Sequence, residues 1–238
     1  MTKKIFFLLF LFAALVGAGN RVVNKGAGGG GSPTLIAELG EGATSGGDGF
    51  TTAAITTTGA NLIAVAKFWY GSSEPALSDS KGNTYTATTI RATAADTRWV
   101  RWYYVYGGTV GSGHTFTLGG TAHYASLVVL AFSGIASSPL DQEASGEDTA
   151  WTSISSGSIT PSQANTISLT ALMHDSGSGT LTAPSTWTAA PISSPSGGAH
   201  LGGAASWKVL TSTSAINPAW SSDTSYLFGV ASHITIKY

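Results

Sequence analysis

From Thr34 to the C-terminus the chain consists of short runs rich in β-branched and aromatic residues, each closed by Gly, Ser, Asn, Asp or Pro. This punctuation restricts the fold more than any other feature. A stable helix needs about ten or more residues with a period of about 3.6, and these runs supply neither. Residues 61–70 (NLIAVAKFWY) alternate instead: Leu62, Ala64, Ala66 and Phe68 fall on one face, and Ile63, Val65, Lys67 and Trp69 on the other. Residues 124–132 (YASLVVLAF) are nearly all apolar, as expected of a central strand covered on both sides.

The same pattern predicts strands over residues 34–38, 49–57, 84–91, 98–106, 114–118, 152–159, 166–174, 186–190, 201–210 and 226–237. Asp79-Ser80-Lys81-Gly82-Asn83 reads as a hairpin turn, with Gly82 in the left-handed position and Asp79 bonding back to its own backbone. No internal repeat is read from the chain, and residues 140–150 (LDQEASGEDTA) read as an acidic loop. The expected fold is all-β, a single antiparallel β-sandwich of jelly-roll-like type spanning residues 34–238.

The N-terminus differs in kind. Lys3 and Lys4 precede the apolar run 5–16 (IFFLLFLFAALV), and Val16 and Ala18 suit a signal-peptidase site after Ala18. The run is shorter than the roughly 20 residues of a membrane-spanning helix. Residues 1–18 are therefore expected to be a cleaved signal peptide, with no membrane span afterwards. Residues 19–33 form a Gly-rich arm, with 26–32 a flexible spacer. The expected location is extracellular or at the cell surface.

Composition narrows the partners. Charged residues are 10% of the chain, and without Lys3 and Lys4 nine basic side chains face twelve acidic ones. No basic block exists to neutralise phosphates, so nucleic acid is not an expected partner. There is no cysteine, so no disulfide and no thiolate metal site.

Residues 61–70, Ser78-Asp79-Ser80-Lys81-Gly82-Asn83-Thr84-Tyr85, Ala131-Phe132-Ser133-Gly134 with Ser138-Pro139-Leu140-Asp141, and Ile216-Asn217-Pro218-Ala219-Trp220 together resemble a group of uncharacterised bacterial and phage-associated extracellular β-sandwich proteins. The resemblance spans most of residues 34–238 and rests on turns and core strands. It implies a jelly-roll-like or Ig-like surface module, and it assigns no catalytic residue.

Few motifs in the chain carry chemistry. The Gly-x-Ser-x-Gly elbow of a serine hydrolase is absent. His114, His123, His174, His200 and His233 are scattered, with no His-x-His spacing. Asp141, Glu143, Glu147 and Asp148 offer hard oxygen ligands, so a Ca2+ site is considered there. The strongest feature is RWVRWYYVY at 98–106. Trp99, Arg101, Trp102, Tyr104 and Tyr106 are the candidate ligand-binding residues, since rings beside guanidinium donors suit stacking on sugars or a protein hot spot. The plainer reading is core packing, with Arg side chains lying over ring faces.

Three functions follow as expectations. The first is a non-enzymatic binding or adhesion module for carbohydrate or a cell-surface polymer. The second is a structural subunit of a surface filament or virion fibre, self-assembling through residues 19–40 by strand addition. The third is a concanavalin-like glycoside hydrolase, which would need two carboxyl groups about 5–10 Å apart across a cleft.

Overall fold

A computed structural model describes residues 21–22, 32–42, 49–93, 97–120, 123–175, 180–193 and 201–238. Residues 1–18, expected to be a signal peptide, and most of the expected arm at 19–33 lie outside the described residues. Sixteen strands and no helix are present among those described, so none of them forms a helix long and apolar enough to cross a membrane. The N-terminal half contains β1 (Arg21–Val22), β2 (Thr34–Gly42), β3 (Phe50–Thr51), β4 (Leu62–Tyr70), β5 (Ala76–Asp79), β6 (Thr86–Ala87), β7 (Arg91–Ala92), β8 (Arg98–Tyr106), β9 (Phe116–Gly119) and β10 (His123–Ser133). The C-terminal half contains β11 (Leu140–Ser155), β12 (Thr166–Asp175), β13 (Leu181–Thr182), β14 (Thr188–Ala189), β15 (Leu201–Leu210) and β16 (Ala219–Lys237).

All pairings are antiparallel, in three sheets. The first runs β1-β2-β10-β4-β8-β6, with β7 also on β8; the second runs β11-β16-β12-β15-β14, with β13 on β16; the third is β3-β9-β5. The expected antiparallel sandwich is thus present, with a third sheet added. Leu62, Ala64, Ala66, Phe68, Trp102 and Leu130 of the first sheet meet Ile167, Leu169, Met173 and Ile234 of the second in the main core. The opposite face of the first sheet, Ile63, Val65, Trp69 and Val129, packs beneath Phe116 and Leu118 of the third. Central strands β4 and β10 are therefore buried on both faces, which explains their largely apolar sequences, and β12 is equally buried although its sequence alternates polar and apolar. At one close approach Gly203 is required: a Cβ there would lie 2.2 Å from the Phe68 ring.

The two halves share one strand order, β2-β10-β4-β8 in the first and β11-β16-β12-β15 in the second. The connections crossing over each sheet also correspond. Ile55 bridges His114 in the first half, and Ile159 bridges Ile216 in the second. Thr52 N donates to Phe116 O, and Ser156 N to Pro218 O. This corrects the reading of no internal repeat. The sequence trace is one short motif, Ile-Thr-x-x-x-Ala-Asn, at Ile55–Asn61 and again at Ile159–Asn165, each time leading into the second main strand of its half.

The acidic loop at 140–150 is also corrected. It is the first part of β11, paired with β16 from Leu140↔Ile236 to Ser155↔Ala219. Acidic and glycine residues disfavour strands, but β11 is an edge strand, where charge is tolerated and long-range pairing overrides local preference.

Candidate functional site

Strand β8 carries the aromatic cluster, and its alternation divides the cluster between two faces. Val100 and Trp102 point into the main core and are fully buried. Trp102 is therefore a core residue and cannot touch a ligand, a correction to its place among the candidates. Tyr104 is half-buried against the same core, and Tyr106 at the strand end is exposed.

On the opposite face, Trp99, Arg101 and Tyr103 are each only part-buried. Trp99 stacks on Trp69 of the neighbouring strand, with centroids 6.1 Å apart, and its Nε1–H donates to Gly71 O at 2.8 Å. Lys67 on β4 stands directly opposite Arg101 on β8, a like-charge cross-strand pair that is unfavourable alone. Glu74 resolves it. Its Oε1 is 2.9 Å from Lys67 Nζ and its Oε2 is 3.0 Å from Arg101 Nη1. Tyr103 donates its hydroxyl to the same carboxylate. Lys67 also donates to Pro75 O at 2.6 Å and to Tyr103 Oη at 3.0 Å, and its ammonium lies 4.4 Å from the Tyr103 ring centroid.

Burial and charge perturb Lys67, Glu74 and Tyr103. Lys67, 1% exposed, has its pKa brought down to about 8, chiefly by burial, against the pull of Glu74. Burial raises the Glu74 carboxyl, but bonds from Tyr103 and Lys67 and the two nearby cations outweigh it and hold it below the ordinary carboxylate range. Burial, then Glu74, raises the Tyr103 phenol. Such clustering of shifted groups marks a candidate site. Lys67, Glu74 and Tyr103 were not among the candidate site residues read from sequence. Tyr103 lay within the aromatic run 98–106, and the signal for Lys67 was a lysine on an otherwise apolar strand.

Two other networks imitate catalytic machinery. His114 Nδ1 is 2.9 Å from Thr57 Oγ1, and its Nε2 is 3.1 Å from Asp79 Oδ2. Asp79 also accepts from Tyr85, from Asn83 Nδ2 and from the amides of Lys81 and Asn83, which makes the predicted turn, with Gly82 at φ 72°. In the second half, His233 Nε2 is 2.6 Å from Ser168 Oγ while its Nδ1 is 2.9 Å from Gly157 O. Both have the hydroxyl–imidazole–acceptor connectivity of acyl-transfer enzymes. Both are sealed, however: Thr57, His114, Ser168 and His233 have no exposed surface. They fasten the crossing connections to the sheets. The side chain of His123 lies outside the described residues.

The four acids proposed for calcium do not converge. Asp141 is bonded to Ser162 and Thr235, and Glu143 accepts from Thr89 N and lies 3.7 Å from Arg91 across the sheet edges. Glu147 and Asp148, successive on a strand, face opposite ways. Glu143 and Glu147 share a face, roughly 13 Å apart along the strand, beyond the span of a catalytic carboxyl pair. Among the described residues no group of three or more His, Asp or Glu side chains is placed to hold a metal ion.

Residues 34–38 lie within β2, paired with β10 on one side and with β1 on the other. No protein-family model, curated protein or solved structure matches the chain.

Proposed function

We propose that the protein is a non-enzymatic binding module of the cell surface or extracellular space, with a carbohydrate or cell-surface polymer as ligand, and that the outer face of β8 makes the contact. One observation carries this reading: Trp99, Arg101 and Tyr103 are part-exposed, yet each is held by named partners on a rigid strand. Rings and guanidinium groups fixed in this way lose little conformational entropy on meeting a ligand. Export through a leader at residues 1–18 belongs to the same proposal.

The competing readings have less support. Strand donation by residues 34–38 would require breaking their pairing with β10. A glycosidase would need a carboxyl pair, and the acids of β11 are spread over both faces of an edge strand.

Titration of the protein with a panel of neutral and charged polysaccharides, followed by Trp fluorescence, tests the proposal. We expect a saturable change that Trp99→Ala reduces. No response across the panel overturns it, and release of reducing sugar would favour the hydrolase instead.

A further inference from the structure

The hydrogen-bonding capacity left on this face is greatest on one donor group. Each acceptor in the cluster already receives at least one bond: Glu74 Oε1 from Lys67 and Tyr103, Glu74 Oε2 from Arg101, Pro75 O from Lys67, Gly71 O from Trp99 and Thr88 O from Arg101 Nε. The three ammonium protons of Lys67 are matched by Pro75 O, Tyr103 Oη and Glu74. Tyr103 both donates and accepts. Arg101 differs. Its Nε and Nη1 are engaged, Nη2 makes none of the cluster's bonds, and the side chain is 25% exposed. The guanidinium is thus clamped through Nε and Nη1, and Nη2 keeps donor capacity beyond those two bonds. Two cations, Lys67 and Arg101, face one carboxylate, so the cluster carries a net charge of +1.

A neutral sugar hydroxyl both donates and accepts, whereas the capacity left on Arg101 is purely that of a donor. An oxyanion only accepts, and a planar guanidinium matches it with two parallel bonds. We propose that the ligand bears an anionic oxygen group, a carboxylate or sulfate ester on a polysaccharide, and that Arg101 receives it. This rests on the reading of β8 as the contact face. Lys67 and Glu74 act as positioning residues that hold the guanidinium. Trp99 beside it supplies an apolar wall for the sugar ring.

The test uses the full chain and three probes: polygalacturonate, dextran sulfate and uncharged dextran. Affinity is read from Trp fluorescence at low and physiological salt. Saturable binding to polygalacturonate or dextran sulfate, about tenfold or more tighter than to dextran, is expected, and the polymer that binds identifies the anion. Arg101→Gln should weaken that binding about tenfold, whereas Lys81→Gln, which removes a cation from the distant turn, should not. If Arg101→Gln lowers the melting temperature substantially, Arg101→Lys carries the test, since it keeps the charge and loses the fork; a loss of about threefold or more is then expected. Equal binding of dextran and dextran sulfate, or equal losses from Arg101 and Lys81 substitutions, overturns the inference and leaves the binding module standing. No binding by any polymer here or in the wider panel overturns the module itself.

Discussion

The two halves of the molecule are built on one strand order and finished differently. In the N-terminal half the outer face of the main sheet is covered by the small third sheet, and beside that cover lies the charged cluster of Lys67, Glu74 and Arg101. In the C-terminal half the outer face carries Ser168 and Thr170 and is closed by Trp151, Ile154, Trp220 and Tyr226. There the hydroxyls fasten the lid: Trp220 Nε1 donates to Thr170 Oγ1, which donates to Ser156 Oγ. Backbone pairing sets the topology of both halves, and side chains decide whether the outer face is sealed or left part-open. The part-open half is where the binding proposal falls.

The largest expected effect tests whether the halves stand or fall together. Phe68→Ala cuts into the core they share, and Phe68 is fully buried against the β15 backbone. We expect a loss of about 3–5 kcal/mol with a single unfolding transition. Two separated transitions in denaturant, followed by Trp fluorescence and dichroism, would show that the halves are independent units rather than one cooperative body.

Acid should next distinguish them. Burial brings the pKa of His233 down to about 4, and its contacts include no charged group. The unfolded chain then binds a proton that the folded chain refuses, so this contribution is complete above about pH 6.5 and is lost as pH falls towards 4. The loss is on the order of 3 kcal/mol, and His233→Gln should flatten the urea midpoint between pH 7 and 4.5. In the N-terminal half burial lowers His114 as well, but Asp79 opposes it, so His114→Gln should flatten that curve less. The reverse ranking would break the comparison.

At alkaline pH the N-terminal half should respond alone. The folded-state pKa of Lys67 lies below its ordinary value, so the unfolded chain binds more protons and stability rises as pH increases from about 8 to 10. A gain of about 1–3 kcal/mol is expected over that range, absent in Lys67→Met. A fall in stability there for the unsubstituted chain would mean that the ion pair with Glu74 dominates burial.

The smallest effect concerns the tie between the halves at the sheet edges. Glu143→Gln weakens its bond to Thr89 N and its contact with Arg91, both part-exposed, and should cost about 0.5–1 kcal/mol at low salt and less at high salt. A cost of about 3 kcal/mol or more would make that edge a principal joint.

Much of the architecture was legible beforehand because it depends on local alternation. The alternation of residues 61–70 placed Leu62, Ala64, Ala66 and Phe68 on one face and Ile63, Val65 and Trp69 on the other, and each face packs into a core of its own. The Asp79–Asn83 turn was legible for the same reason, since its bonds run within five residues. Residues 140–150 were not legible, because their partner β16 lies far along the chain and their own composition argues for a loop.

By itself, then, the sequence determined the strand character of most main strands, the facing of β4 and β8, and the Asp79–Asn83 turn, all short-range consequences of backbone geometry and side-chain polarity. Tertiary structure alone decided that Trp102 is sealed while Trp99 is part-exposed, that Lys67, Glu74 and Arg101 meet, and that two halves share one strand order. Those outcomes depend on which distant strands pair and which sheet covers which face. Alternation along one strand says that a residue points up or down, and only packing against the rest of the chain says what it meets there.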